Sequence, residues 1–380
     1  MNLAVYIHWP FCVSKCPYCD FNSHVGDTQN QEKWRVAYER ELAHYAALLP
    51  NRRITSVFFG GGTPSLMEPQ TVDHVLQTLG RLWTVDENVE ITLEANPSSA
   101  EADKFAAFRA AGVNRLSLGV QSFDEQALRF LGRAHDAGDA RRAIDMAARL
   151  FPRFSFDLIY ARQGQTPDMW EGELHEALKL AGDHLSLYQL TIEPHTQFYV
   201  RARRGEALTA PDAHAETMYE LTQDIMDAAG LPAYEISNHA RPGQESRHNM
   251  AYWRYDDYIG IGPGAHGRFA RHGARHATED HRAPDIWLDT VGLRGHGVKT
   301  DDAIGDDMAM REALMMGLRL TRGIDARSWD EKFSVPLAQF IPSAKRARLR
   351  DEGYLFDGND LRATRAGLQR LNAVLSFLDA

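Results

Sequence analysis

The sequence predicts an α/β fold: a partial (β/α)6 barrel followed by a mainly helical, winged-helix-like domain. Two observations favour it. Short segments rich in β-branched and aromatic residues alternate with amphipathic helical segments, and this alternation fades after Leu190. Such alternation is typical of a parallel sheet with helices outside it. Because 380 residues suffice for more than one core, we expect three parts: residues 1–205, 206–299 and 300–380.

The barrel elements follow from local patterns. Six segments are predicted as parallel strands: 3–8, 54–59, 89–94, 114–120, 153–159 and 184–190. Helices are predicted between them where apolar residues recur at three- and four-residue steps: 34–49, 71–82, 102–111 and 137–150. Ligands of such folds gather at the C-terminal ends of the strands.

The remaining elements are less regular. We expect a helix at 213–229, a strand at 234–237 and a linker or irregular extension at 272–300, where glycines and histidines are frequent. The last part predicts helices, then two short strands within 353–361, then a helix with a leucine face. This order resembles a winged helix that serves for packing.

Composition limits the classes of partner. The net charge of −10 argues against nucleic-acid binding, and the basic cluster of Arg201, Arg203 and Arg204 is short. Apolar runs are too short for a membrane span, and a predicted strand begins at Leu3. We therefore expect a cytoplasmic protein that meets membranes only through a partner.

Almost every predicted strand ends in polar residues or glycine. Gly60 to Thr63 follow the second strand, Glu94 and Asn96 the third, and Gln121 the fourth, while Asp157 lies on the fifth. Since parallel strands end at the same edge of a sheet, these residues are expected to converge on one site.

Three cysteines are present, Cys12, Cys16 and Cys19, with three and then two residues between them. Clustered thiols without distant partners indicate metal binding rather than disulfides. Three thiolates can hold three irons of a cubane and leave the fourth iron open. A zinc site is the alternative, with His8 or His24 as a fourth ligand.

The cysteine spacing, with Tyr18 before the last cysteine and a glycine run after the next strand, resembles the radical S-adenosylmethionine (SAM) superfamily. This resemblance implies a [4Fe-4S] cluster on Cys12, Cys16 and Cys19, SAM as its ligand, and an electron donor for the cluster. The strand-end residues are similar to those of its porphyrin-related subgroup. That similarity implies the following SAM contacts: Tyr6, Tyr18, Gly61, Gly62, Thr63, Glu94, Gln121, Arg133, Asp157, Thr191 and His266.

Two features resemble HemW-type heme chaperones within this subgroup. Phe21 stands where oxygen-independent coproporphyrinogen III oxidases carry a fourth cysteine, and residues 248–253 read His-Asn-Met-Ala-Tyr-Trp. An imidazole can ligate heme iron, and aromatic rings offer a flat apolar surface. The resemblance implies heme contacts by the following residues: His248, Asn249, Tyr252 and Trp253.

The resemblance therefore implies a heme chaperone that passes heme to an apo-haemoprotein. Two alternatives stay open at this point. One is a radical SAM oxidoreductase acting on a porphyrinogen, and the other is a structural or regulatory iron-sulfur protein that binds SAM without turnover. One departure concerns the stretch 161–166, Ala-Arg-Gln-Gly-Gln-Thr, where relatives tend to have Gly-Leu-Pro-Gly-Gln-Thr.

Overall fold

The computed structural model describes residues 1–26 and 30–379. Within these residues, one sheet has eleven strands in the order β13-β12-β11-β10-β1-β4-β5-β6-β7-β8-β9, and β2 pairs with β3 separately. The strands are β1 Asn2–Trp9, β2 Phe11–Cys12, β3 His24–Val25, β4 Arg53–Gly61, β5 Thr84–Ala95, β6 Arg115–Gln121, β7 Arg153–Tyr160, β8 His184–Gln189, β9 Asn238–Ala240, β10 Tyr258–Ile261, β11 His266–Arg271, β12 Ala274–Asp280 and β13 Val298–Ile304.

The six predicted parallel strands are confirmed as neighbours in chain order, β1, β4, β5, β6, β7 and β8. Strand β10 adds a further parallel strand on the free side of β1. This progressive order is that of a partial (β/α) barrel, so the predicted α/β fold is confirmed.

Helices cover the outside of the sheet and build the C-terminal region. They are α1 Gln31–Leu48, α2 Pro69–Leu82, α3 Ser99–Ala102, α4 Phe105–Ala111, α5 Glu125–Phe130, α6 Ala137–Leu150, α7 Pro167–Leu180, α8 Gln197–Arg203, α9 Asp212–Ala228, α10 Arg247–Trp253, α11 Pro284–Arg294, α12 Asp306–Gly317, α13 Ala326–Lys332, α14 Leu337–Phe340, α15 Ser343–Asp351, α16 Arg365–Gln369 and α17 Leu371–Asp379, with a 3-10 turn at Pro64–Leu66.

Local chemistry explains where several helices begin. Asp136 caps α6 by accepting from the Asp139 amide, and the Asp139 side chain accepts from the Asp136 amide in return. Thr166 caps α7, which has Pro167 in its first turn. The cap on α7 sets the helix start after the loop that follows β7, whereas the cap on α6 sets a helix start after the short helix α5.

The barrel interior is polar between neighbouring strands. Arg115 donates to the Ser155 hydroxyl over 3.0 Å, and Arg153 forms an ion pair with Glu90 at 2.5 Å. The residues between these polar positions are apolar and pack under the helices, as the two-residue period of a strand requires.

The stretch 272–300 is not a linker, which corrects the prediction. It forms β12 and α11 and enters β13, with β12 pairing antiparallel with both β11 and β13. The predicted strand at 234–237 is also wrong, because these residues bend and the strand β9 begins only at Asn238.

The C-terminal region is mainly helical, as predicted, with a separate core around Trp329, Leu337 and Leu349. The two strands predicted within 353–361 are absent from this described region, where isolated bridges join Leu355 to Ala363 and Ile324 to Leu361 instead. The division at residues 205 and 299 stays a prediction. None of the helices in the described residues is long and apolar enough to span a bilayer.

Candidate functional site

A cavity of about 580 Å³ lies at the C-terminal ends of the parallel strands. Eleven residues predicted for the cluster and for SAM line it: Cys12, Cys16, Tyr18, Cys19, Gly62, Thr63, Glu94, Gln121, Arg133, Asp157 and Thr191. Its volume falls within the range of small-molecule sites, about 300–1,000 Å³. The sheet therefore brings residues from five strand ends and the cysteine loop to one place.

The cysteine loop begins at the end of β2 and returns at β3. Cys12 pairs in register with Val25, and the Cys19 amide donates to the Cys16 carbonyl over 3.2 Å. All three cysteines are free thiols that are partly exposed to the cavity. Within the described residues, no group of three or more His, Cys, Asp or Glu side chains is arranged to hold a single metal ion.

Polar groups around the thiols suit bound thiolates. The Thr63 hydroxyl donates to the Cys12 sulfur over 3.4 Å, and the Arg133 guanidinium donates to the Cys16 sulfur over 3.3 Å. Burial raises the pKa of Cys12 and of Cys19. Cationic iron and these donors would offset that cost, since metal binding deprotonates a coordinating thiol.

One of the two candidate fourth ligands of the alternative zinc site, His8, is unavailable. Both ring nitrogens of His8 are hydrogen-bonded, one to the Tyr6 hydroxyl at 3.0 Å and the other to the Asn22 carbonyl at 2.9 Å. His8 is buried behind the cysteine loop, so its imidazole is not free to bind a metal.

The glycine run packs against the start of the cysteine loop. The Gly62 amide donates to the Trp9 carbonyl over 2.7 Å, and the next amide, of Thr63, donates to the Phe11 carbonyl over 2.8 Å. A Cβ on Gly62 would lie 2.6 Å from the Phe11 carbonyl oxygen. The bare backbone is therefore required for β4 to approach the cysteine loop.

Two carboxyl groups, of Glu94 and Asp157, line the same cavity. Burial, with the nearby Asp157 as a second cause, raises the pKa of Glu94 to about 8. Burial also raises the pKa of Asp157 to about 6. Two acids that resist ionisation together favour a cationic ligand between them. The ammonium and sulfonium groups of SAM fit this requirement.

Two further side chains present unpartnered polar atoms. The Gln121 side-chain amide oxygen, Oε1, and the Arg133 Nε atom are buried without a hydrogen-bond partner in the described residues. Gln121 also adopts a φ of 70°, an unfavourable backbone conformation that recurs at ligand sites. The Arg133 guanidinium donates a hydrogen bond to the Gly119 backbone carbonyl over 2.8 Å, which fixes its position. These atoms are placed to hydrogen-bond a carboxylate and hydroxyl groups, and the residue set therefore fits SAM.

Three predicted SAM contacts lie outside the cavity lining. Tyr6 and Gly61 are not part of the cavity lining. The Tyr6 ring lies beside Gly60, where it would contact an added Cβ, and Gly61 has a φ of 111°. His266 is exposed at the start of β11. Their roles in SAM binding stay predictions.

The His-Asn-Met-Ala-Tyr-Trp motif forms α10, at the opposite end of the barrel from the cavity. His248 is 1% exposed, and burial lowers its pKa to about 3. One of its ring nitrogens bonds to the Ser56 hydroxyl at 3.0 Å and the other to the Tyr252 hydroxyl at 2.8 Å. Its ring stacks on Phe58 with centroids 5.1 Å apart. This imidazole closes the barrel and offers no free nitrogen.

The other motif residues are partly buried around His248. The side-chain amide nitrogen of Asn249 lies 3.5 Å from the Tyr234 hydroxyl oxygen. Trp253 has its ring under the Arg319 guanidinium, 4.7 Å away. The predicted heme contacts are thus brought together, but they pack against protein, and their heme role stays a prediction.

Asn96, which was expected at the site as a strand-end residue, also lines the cavity, together with residues that the sequence analysis did not assign: Glu101, Ser117, His135, Tyr188 and Gln189. Tyr188 and Gln189 lie at the end of β8, so the strand-end rule could have found them. Glu101 is different, because it reaches the site from α3 and accepts from the Asn96 amide over 2.8 Å. No local sequence signal marks that contact.

Comparison with known proteins agrees with this site. Residues 6–177 match the Radical SAM superfamily, and residues 306–370 match the HemN C-terminal domain. The structure is similar to coproporphyrinogen III oxidase (HemN) from Escherichia coli, with a TM-score of 0.83 at 22% identity, covering 100% of this chain and 90% of that one. That likeness shows the fold.

Several proteins found by sequence share a higher identity with this chain than HemN does. The chain is 39% identical to the zebrafish (Danio rerio) Radical S-adenosyl methionine domain-containing protein 1, mitochondrial, over 99% of this chain and 86% of the relative. It is 42% identical to Heme chaperone HemW of Escherichia coli (strain K12), over 70% of each chain. It is also 33% identical to Heme chaperone HemW of Bacillus subtilis (strain 168), over 90% of this chain and 89% of that protein. The cysteine loop, the strand-end cavity and these relatives together show that the chain belongs to the HemW family of the radical SAM superfamily.

Proposed function

We propose that this protein is a heme chaperone, which binds heme and transfers it to an apo-haemoprotein. The observation that carries the proposal is the 42% identity to a protein named Heme chaperone HemW, over 70% of each chain. The proposal includes a [4Fe-4S] cluster and SAM in the strand-end cavity.

The cavity residues support the cofactor part. Cys12, Cys16 and Cys19 would hold the cluster, which when bound supplies an electron to SAM. Glu94 and Asp157 would hold the cationic groups of SAM, and Arg133 its carboxylate. Because Arg133 also donates to the Cys16 sulfur, it would link the cluster and the SAM carboxylate.

A porphyrinogen oxidase is the second candidate, favoured by the likeness to HemN in fold. Phe21 counts against it, because this side chain is 59% exposed at the position where those oxidases carry a fourth cysteine. The loop therefore offers three thiolates and an apolar rim. We expect no decarboxylation of coproporphyrinogen III.

The proposed partners follow from this function. They are heme, an apo-haemoprotein acceptor and an electron donor for the cluster, and a membrane would be contacted only through the acceptor. A cytoplasmic location stays a prediction.

The test uses anaerobically purified protein with a reconstituted cluster. Heme is titrated and followed by absorption spectroscopy, and the heme-loaded protein is then mixed with an apo-haemoprotein. We expect stoichiometric heme binding, transfer, and no product from coproporphyrinogen III. A protein that decarboxylates coproporphyrinogen III and leaves free heme unbound would contradict the proposal.

A further inference from the structure

Heme needs an accessible axial ligand, and His248 does not supply one in this structure. Its ring is fully buried with both nitrogens hydrogen-bonded to Ser56 and Tyr252. Ligation by His248 would break one of these hydrogen bonds and require heme to reach a fully buried ring at the barrel floor. An imidazole already at the surface would avoid this cost.

His24 has the geometry of such a ligand. It lies in β3, directly after the cysteine loop, and its side chain is exposed. Two residues before it, the Asn22 side-chain amide donates to the Arg282 backbone carbonyl over 2.9 Å, which brings Arg282 close to this strand. An exposed imidazole can ligate heme iron without first breaking contacts in the protein core.

Apolar side chains are exposed on the cysteine loop, which leads into His24. Val13 and Phe21 are 63% and 59% exposed. The Ser23 amide donates to the Phe21 carbonyl over 2.7 Å, which ties Phe21 to the turn directly before His24. Val25 is 66% exposed, but it follows His24 in β3 and therefore points to the opposite face of the strand. Exposed apolar groups beside a polar centre mark a binding surface. The flat face of a porphyrin would cover Val13 and Phe21.

Two cations stand beside the same ring. Burial lowers the pKa of His24, and the charges of Lys15 and Arg282 lower it further. Both are exposed, and within the described residues neither forms a salt bridge with a carboxylate. The Lys15 ammonium donates only weakly to the Phe21 and Ser23 carbonyls, at 3.4 and 3.3 Å. They are thus available for the two propionate groups of heme.

Asp285 raises the pKa of His24, whereas burial and the charges of Lys15 and Arg282 lower it. Cations beside this ring suit a ligand with two carboxylates.

We propose that His24 is the axial ligand of a heme bound on the cysteine-loop surface, with Lys15 and Arg282 paired to its propionates. This inference rests on the proposed heme chaperone function and names its binding site. It places heme beside the cluster loop rather than at α10.

The experiment is a heme titration of the cluster-loaded protein and of three variants, His24→Ala, His24→Tyr and His248→Ala. Absorption and electron paramagnetic resonance spectra report the axial ligand. We expect His24→Ala to weaken heme affinity at least about tenfold with unchanged iron and sulfide content. We expect His24→Tyr to bind heme with a phenolate-type spectrum, a change that a merely structural role would not produce.

The control is His175→Ala, which removes an exposed histidine from the outer helix α7. It is expected to bind heme as the unmodified protein does. Equal affinity and an unchanged axial signature in both His24 variants would overturn the inference while leaving the proposed function intact. Absence of heme binding by the unmodified protein would instead overturn the proposed function.

Discussion

Glu94 shows how one residue can serve binding at the expense of stability. In water its carboxyl would ionise near its ordinary pKa of 4.5, whereas burial and Asp157 raise that pKa to about 8 in the folded protein. Between these values the folded protein retains a proton that the unfolded chain releases. The contribution of Glu94 to stability therefore falls as pH rises from about 4.5 to about 8.

We predict that Glu94→Gln stabilises the cofactor-free protein at pH 8 by at least about 1 kcal/mol, since one pKa unit corresponds to about 1.4 kcal/mol. The same change is expected to weaken SAM binding, because an amide cannot balance a cation. Denaturant unfolding at pH 5 and pH 8, with calorimetric SAM titration, measures both effects. Exposed Glu87 provides the control, as Glu87→Gln. A variant with unaltered pH dependence and unaltered SAM affinity would remove Glu94 from the site.

Gly62 is a residue whose missing side chain matters. We predict that Gly62→Ala lowers SAM affinity and destabilises the protein, because the new Cβ would lie 2.6 Å from the Phe11 backbone. The matched control is Gly80→Ala in α2, where a Cβ meets nothing within 4 Å. That control is expected to raise stability by about 0.5–1 kcal/mol through helix propensity. Equal thermal shifts in the two variants would show that the close approach at Gly62 is unimportant.

At the scale of elements, the loop after β7 adapts to its unusual sequence. Ala161 has a φ of 58°, a conformation that favours glycine. Arg162 is buried and forms an ion pair with Glu173 of α7 at 2.7 Å, so the residue after Ala161 is tied to the next helix. The departure from relatives at 161–166 thus changes the contacts of the loop while Asp157 keeps its place in the cavity.

We predict that Ala161→Gly stabilises the protein by about 0.5–1 kcal/mol, because relief of the backbone strain exceeds the entropy gained by the unfolded chain. The same substitution at exposed Ala43, within α1, should cost about 1 kcal/mol. Chemical unfolding of both variants measures whether the free energy of unfolding rises or falls in each. Destabilisation by Ala161→Gly would show that the left-handed backbone conformation at this position is not a source of strain.

Helix α10 is held at the barrel floor by a charged clamp. Glu90, 1% exposed, accepts from the His248 amide over 3.2 Å and forms an ion pair with Arg153. Arg153 also donates to the Gln244 carbonyl over 2.6 Å. The clamp joins three separate segments of chain, so its loss is expected to free α10.

We predict that Arg153→Met destabilises the protein by about 3–5 kcal/mol, because Glu90 is left as an uncompensated buried charge. Hydrogen exchange by mass spectrometry should show faster exchange across residues 244–253, with the cluster content unchanged. Arg327→Met removes an arginine that is 88% exposed and should alter neither quantity. Unchanged exchange at 244–253 in the first variant would refute the clamp.

Over the whole molecule, the sequence predicted the elements that local residue patterns determine and missed those that depend on distant contacts. The six parallel strands were predictable because each is an apolar run bounded by turn residues. Strands β12 and β13 were missed because antiparallel pairing, of β12 with β11 and of β13 with β12, stabilises them despite their polar sequences. The cavity followed from the strand-end rule. The burial of His248 did not, because its partner Ser56 is 192 residues away.

The pairing of β1 with β10 has a consequence for synthesis on the ribosome. β1 lies in the middle of the sheet, yet Ala4 pairs with Tyr258 and Ile7 with Ile261. One side of β1 therefore has no partner until residues 258–261 have emerged, long after β4 to β8 are made. Late, non-local pairing of this kind slows folding and exposes strand edges to other chains. The nascent chain should thus depend on protection of this edge until its last sheet strands are complete.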